Sequence, residues 1–149
     1  MNRKMFSSFK RVSVVLGLLF CGALACVAEE ASQKVTEAID DWAKITYPAE
    51  VAPDVPFEVD VEILKIDAPT KLGVNLSYTK QNGKYGGLLK WGGAARDITS
   101  PGKTTWPFKF VAKPELADAM VLVYLSPDGE WGSNTKNATG KKIKVKLGK

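Results

Sequence analysis

The chain has 149 residues, 45% of them hydrophobic and 25% charged, with two cysteines and no histidine, which removes Cys–His and Ser–His nucleophilic pairs and the usual zinc ligand sets. Its formal net charge of +5 comes from 21 Lys and Arg against 16 Asp and Glu, but four of the basic residues and none of the acids lie in the first 28. The remainder carries 21 − 4 = 17 basic residues against the same 16 acids, a net +1, so the basic balance gives no argument for nucleic acid.

Residues 1–28 have the parts of a secretory signal peptide. Arg3, Lys4, Lys10 and Arg11 form a basic start, and an apolar run of 17 residues from Val12 to Ala28 follows, ending in small side chains. That run is marginal in length for spanning a bilayer, which favours cleaved export over an uncleaved anchor. Cleavage after Ala28 or after Ala25 would suit the small residues there. Both Cys21 and Cys26 fall inside this segment, so a cut at Ala28 leaves no thiol in a disulfide-permissive compartment. Ala23-Leu24-Ala25-Cys26 resembles a bacterial lipoprotein box, except that Ala23 stands where Leu is usual; in that alternative a lipidated Cys26 anchors the chain. The expected location is secreted or periplasmic, and the only membrane contact foreseen is through the signal or Cys26.

Residues 29–42 read as a linker or short amphipathic helix, because Val35, Ala38, Ile39, Trp42 and Ile45 approach the spacing of one helix face. The competing reading makes Trp42 to Tyr47 the first strand, on its aromatic and β-branched content. Pro56 to Leu64 alternates Phe57, Val59, Val61 and Ile63 with Glu58, Asp60 and Glu62, the pattern of a half-buried antiparallel strand. Leu72, Val74, Leu76 and Tyr78 repeat it, and Asn82-Gly83 predicts a type I′ hairpin. The partner, Tyr85 to Gly93, carries glycine pairs that mark bulges and an irregular edge strand. Trp106, Phe108 and Phe110 alternate inward beyond a Ser-Pro-Gly-Lys turn, with Pro107 indicating an edge or a bulge. Ala112 to Ala119 is expected as a loop or one helical turn. Met120 to Leu125 then reads as a strand buried on both sides, and Lys142 to Leu147 as a final strand with Ile143, Val145 and Leu147 inward and lysines outward.

About seven short strands with turns every eight to twelve residues describe an all-β, antiparallel two-sheet β-sandwich over residues 43–149. The element order, opening with PAEVAPDVPFEVDVEI and entering the penultimate strand through LADAMVLVYLSPDG, resembles the immunoglobulin-like and fibronectin type III-like modules of secreted bacterial proteins. That resemblance implies a module of the kind often attached to carbohydrate-active enzymes. It also implies alternating strand direction, which would gather Lys65 to Thr70, Trp91 to Asp97 and Ser126 to Gly140 at one end. The Cys…Trp…Cys core of antibody domains is absent.

Such a gathering would bring Trp91, Arg96, Asp97, Asp128, Glu130, Trp131 and Asn134 together. An exposed indole beside carboxylates and amides suits a sugar, whose C–H face stacks on the ring while its hydroxyls find polar partners. The competing reading has one or both tryptophans folding back to cap the core. Asp128 and Glu130, two residues apart in a loop, have no fixed separation for an acid–base pair, and Asp128 beside Pro127 fits turn chemistry. A calcium site at Asp128, Glu130 and Asn134 lacks the spaced ligand ladder and fixed glycine of an EF-hand loop, so no metal and no cofactor are expected. The sequence thus predicts an exported, non-catalytic binding module for polysaccharide. The alternative is a structural or protein-interaction subunit of the cell envelope that recruits a protein partner by adding a strand at Tyr85 to Gly93.

Overall fold

The computed structural model describes residues 32–132 and 134–147, which form two sheets and, among the described residues, no helix. The segment expected to be a signal peptide, with Cys26, lies outside the described residues. Sheet A comprises β1 (Lys34–Ile39), β2 (Ala43–Pro48), β4 (Phe57–Ile63) and β8 (Gly102–Phe108), in the order β1-β2-β4-β8. Sheet B has the order β3-β10-β9-β5-β6, from β3 (Glu50–Val51), β10 (Lys136–Val145), β9 (Leu116–Ser126), β5 (Thr70–Lys80) and β6 (Tyr85–Lys90), with β7 (Arg96–Ile98) also paired to β5. All pairings are antiparallel except the two-residue contact of β3 with β10.

One apolar core joins the sheets. Ile45, Val59, Val61, Trp106 and Phe108 come from sheet A, and Leu72, Val74, Leu76, Val121, Val123 and Ile143 from sheet B. These are alternate residues of their strands, as the period of two requires of a sheet with one face on a core. The outer face of sheet A is polar, with Glu58, Glu62 and Lys103 exposed and Asp60 held by Lys103 at 2.7 Å and Thr105 at 2.6 Å.

Four expectations need correcting. Residues 34–39 form a strand, not a helix or linker, because Lys34 to Ile39 pair residue by residue with Pro48 to Ala43 and those ladder bonds outweigh a weak helical periodicity. Asp40, at φ 48°, and Asp41 make the turn between β1 and β2. The Gln81–Lys84 turn is not type I′: Gly83 N–H donates to the Lys80 carbonyl and Gly83 alone takes a positive φ, 78°, giving the three-residue hairpin with a left-handed glycine. Met120 to Leu125 is not buried on both sides, since Met120 and Leu122 stay partly exposed on the outside of sheet B. Finally, β10 starts at Lys136, inside the expected loop, and Lys141 turns to the side of the sheet that faces sheet A. There it meets Glu37 of β1 at 2.5 Å, and Tyr47 donates to the same carboxylate, so the charge pair links the edge strand β1 of sheet A to β10 of sheet B. The Lys141 bond holds the Glu37 carboxyl below its usual range, while burial and the Glu37 contact push the Tyr47 hydroxyl up to about 12.

Beyond β6 the chain bulges and resumes as β7 along the same side of β5. The bulge is tight. A Cβ on Gly92 would lie 1.7 Å from the Val74 carbonyl oxygen, whereas one on Gly102 would meet nothing within 4 Å. Gly92→Ala is therefore expected to cost about 1–3 kcal/mol, as overpacking against backbone does, and Gly102→Ala to stay within about 0.5 kcal/mol of wild type. Urea unfolding of the two variants checks the contrast.

Candidate functional site

The loop joining β9 to β10 is built around one carboxylate. Pro127 fixes φ at the second position of a turn in which Gly129 N–H donates to the Ser126 carbonyl at 3.3 Å, and Gly129 closes it at φ 83°. Asp128 then gathers the loop onto itself. The Ser126 hydroxyl and the Glu130 N–H (3.1 Å) donate to Oδ1, and the Asn134 amide (3.0 Å) donates to Oδ2. Those bonds, the Ser126 hydroxyl first, lower the Asp128 carboxyl to about 2. Thr135 finishes the loop by accepting from Gly132 N–H at 2.8 Å through its side chain.

This loop presents Trp131 at 55% exposure. Its ring stands edge-on to Tyr124, with centroids 5.1 Å apart and an interplanar angle of 88°. Tyr124 is itself buried, and its ring covers Gly73 of β5 so closely that a Cβ there would lie 2.1 Å from Cζ. Glycine at 73 is thus what lets the tyrosine lie down and support the tryptophan. Burial raises the Tyr124 hydroxyl above its ordinary value, and a hydrogen bond from the Asn75 side chain opposes that shift.

Tyr124 begins a row across the outer face of sheet B. Gly73, Asn75, Ser77 and Thr79 point outward from β5, opposite Tyr124, Leu122, Met120 and Asp118 of β9. On the other side, Leu88 is opposite Ser77 and Tyr85 opposite Thr79, and the Tyr85 and Ser77 hydroxyls are 3.4 Å apart. Asn75 accepts from Gly92 N–H at 3.1 Å, tying the bulge to the centre of this face.

The structure sorts the sequence-derived residues unequally. Asp128, the Glu130 backbone, Asn134 and Trp131 do come together, and the three loops do gather: Gly129 packs against Lys71 and Ala95, while Lys65 to Thr70 share a cleft of about 440 Å³ with Pro127, Lys136 and Asn137. Neither Trp91, at 60% exposure, nor Trp131 caps the core; the buried tryptophans are Trp42 and Trp106. Asp128 accepts from the Ser126 hydroxyl, the Glu130 N–H and the Asn134 amide, so Asp128 and Asn134 shape the loop. Arg96 lies with its guanidinium carbon 4.1 Å from the centroid of Trp106, covering the core between β7 and β8, and Asp97 pairs with Lys71 at 3.9 Å. The aromatic partner of Trp131 is Tyr124, not Trp91. Sequence reasoning missed Tyr124, Gly73, Asn75 and Tyr85, whose common face depends on the register between strands.

No family model matches the chain, and no curated protein matches it. Among solved structures, the alkylpurine DNA glycosylase AlkC of Pseudomonas fluorescens, bound to DNA containing an abasic site analog, is similar at 15% identity and a TM-score of 0.37 over 66% of this chain. The chain spans 28% of that protein's length. A superoxide reductase (neelaredoxin) from Ignicoccus hospitalis is similar at 17% identity and a TM-score of 0.38, over 74% of this chain and 82% of the other. Both neighbours are enzymes, and on that finding the expectation that this chain is not an enzyme is withdrawn. At these TM-scores neither likeness carries an activity, a substrate or a site over to this chain.

The Asp128 knot has a pH signature. Its folded carboxyl lies below the ordinary value, so its contribution to loop order is fully present above about pH 4 and is lost as pH falls through about 2. In NMR spectra, the Glu130 amide is expected to titrate with a midpoint near 2, and Asp128→Ala at neutral pH is expected to speed hydrogen exchange in residues 128–134 while leaving β5 protected.

Proposed function

We propose that this chain is an exported binding module of the immunoglobulin-like or fibronectin type III-like kind, which holds a carbohydrate against the outer face of its six-stranded sheet with Trp131 as the principal contact. The observation that carries the reading is the inequality of the two outer faces. Sheet A turns carboxylates, lysines and threonines to solvent; sheet B turns out Tyr85, Leu88, Met120 and Leu122, with Trp131 above Tyr124. Exposed apolar surface gathered on one face marks a binding surface, whereas single exposed residues such as Val55, Leu64 and Val111 need no explanation.

Sugar chemistry fits the details. A pyranose ring offers a C–H face to a flat indole, and a ring already held in place loses little freedom on binding. The Asp128 turn and the edge contact with Tyr124 supply that rigidity. Glu130 and Lys71 stand beside the loop as polar groups for ring hydroxyls. The edge-strand alternative has less support, because β6 breaks register with β5 twice and Gly87 is left-handed at φ 103°, a geometry that interrupts the straight edge strand addition needs.

Trp131→Ala tests the reading. Loss of an aromatic anchor is expected to weaken binding to the recognised glycan about 10- to 100-fold, a cost of about 1–3 kcal/mol. Unfolding free energy should move by less than about 1 kcal/mol, since Trp131 is more than half exposed. Isothermal titration and urea unfolding on this one variant measure both, and unchanged affinity would refute the assignment of Trp131.

A further inference from the structure

Building on the carbohydrate reading, we infer that the ligand is an uncharged linear polysaccharide, bound along its chain and lying lengthwise over β5 from Trp131 toward Tyr85. The length comes from the register. Trp131 rests on Tyr124 at the level of Gly73, and Tyr85 stands opposite Thr79, six residues further along the strand. At about 3.4 Å per residue these rows are roughly 20 Å apart. One sugar ring cannot reach both ends, but a short run of linked rings can. Between them the strip is filled by Leu122, Met120 and Leu88 over Asn75 and Ser77.

The width excludes a folded protein as the main occupant. The strip crosses β9, β5 and β6, so at about 4.8 Å between strands it is roughly 10 Å wide and covers on the order of 200 Å². A stable protein–protein interface takes about 800 Å² from each partner. A single extended chain fills the available area, and a globular surface would rest mostly on the polar margins.

Charge decides the kind of polymer. None of Gly73, Asn75, Ser77, Thr79, Tyr85, Leu88, Met120, Leu122 or Tyr124 carries a formal charge at neutral pH. Charged groups stand only at the borders of the strip: Lys71 pairs with Asp97, Asp118 lies opposite Thr79, and on β10 Lys142 stands opposite Met120 and Lys144 opposite Asp118. An acidic polymer lying over β5 would find cations at one border alone, Lys142 and Lys144 on β10, with Asp118 between them and its path, whereas a neutral one loses nothing by leaving these charged margins in water.

The experiment is a chain-length series. Gluco-, xylo-, manno- and N-acetylglucosamine oligosaccharides of one to six residues are titrated against the exported form of wild type, Trp131→Ala and Tyr85→Ala, with folding of each variant checked by circular dichroism. Affinity should rise with length and then level off. Tyr85→Ala should weaken the longest ligand by about tenfold and leave the shortest bound ligand unchanged, whereas Trp131→Ala should weaken all lengths. Binding should also change little between low and high salt. Affinity independent of length, or no effect of Tyr85→Ala on the longest ligand, overturns the lengthwise path while leaving the sugar reading in place. Strongly salt-dependent binding of acidic polysaccharides in preference to all neutral ones overturns the neutral class. Failure of wild type to bind any glycan overturns the carbohydrate reading itself.

Discussion

The side chains of β5 are covered on both sides of the six-stranded sheet, and that double cover sets the position of every ring at the candidate site. Inward, Leu72, Val74, Leu76 and Tyr78 complete the core. Outward, Asn75, Ser77 and Thr79 are nearly or fully shielded by a second layer of side chains from β9 and β6. Most sandwich strands turn one face to water, and this second apolar layer is the feature on which the proposed binding face rests. Small residues make it workable. Gly73 accepts the Tyr124 ring and Gly92 lets the bulge come down on Val74, and side chains at those positions would lift both away from β5.

The loop carrying Trp131 solves a separate problem, that of keeping a large exposed ring in one place. A nine-residue connection between strands would ordinarily be mobile. Here one carboxylate takes bonds from a hydroxyl, a backbone N–H and an amide, and the ring itself leans on Tyr124. Asp128 and the Asn134 amide, which seemed suited to touching a ligand, are therefore occupied in holding the loop. Trp131 is left as its exposed large apolar side chain, beside the exposed Glu130. Orientation of the ring before the ligand arrives is where the loop's polar chemistry acts.

Much of the fold was legible because period-two alternation is a local signal. Phe57 to Ile63 and Leu72 to Tyr78 showed their faces in the sequence, and Pro107 marked an edge strand, as β8 is. Lys34 to Ile39 did not read as a strand, since its ladder depends on Ala43 to Pro48 and its burial on a core formed by distant residues. The turn Ser126–Gly129 was readable from Pro127, Asp128 and Gly129, whereas the sequence left open whether Trp131 is exposed or caps the core. The support beneath them was not readable. That Tyr124 lies across from Gly73, and Tyr85 across from Thr79, follows from strand register, which no single segment encodes. Arg96 was likewise not fully legible: the sequence placed it among ligand contacts, and its guanidinium lies over the Trp106 ring, a contact that depends on how β7 sits against β8.

The central claim is that the outer face of sheet B, not the cleft beneath the loops or the polar face of sheet A, receives the ligand. Amide chemical-shift mapping during titration with a neutral hexasaccharide tests it most directly. The account predicts shifts at Gly73, Asn75, Ser77, Met120, Leu122, Tyr85 and the Trp131 indole N–H, with Glu58, Glu62 and Lys103 unmoved. Shifts confined to Asp40, Asp67, Lys136 and Asn137 around the cleft, or to the outer face of sheet A, would contradict it.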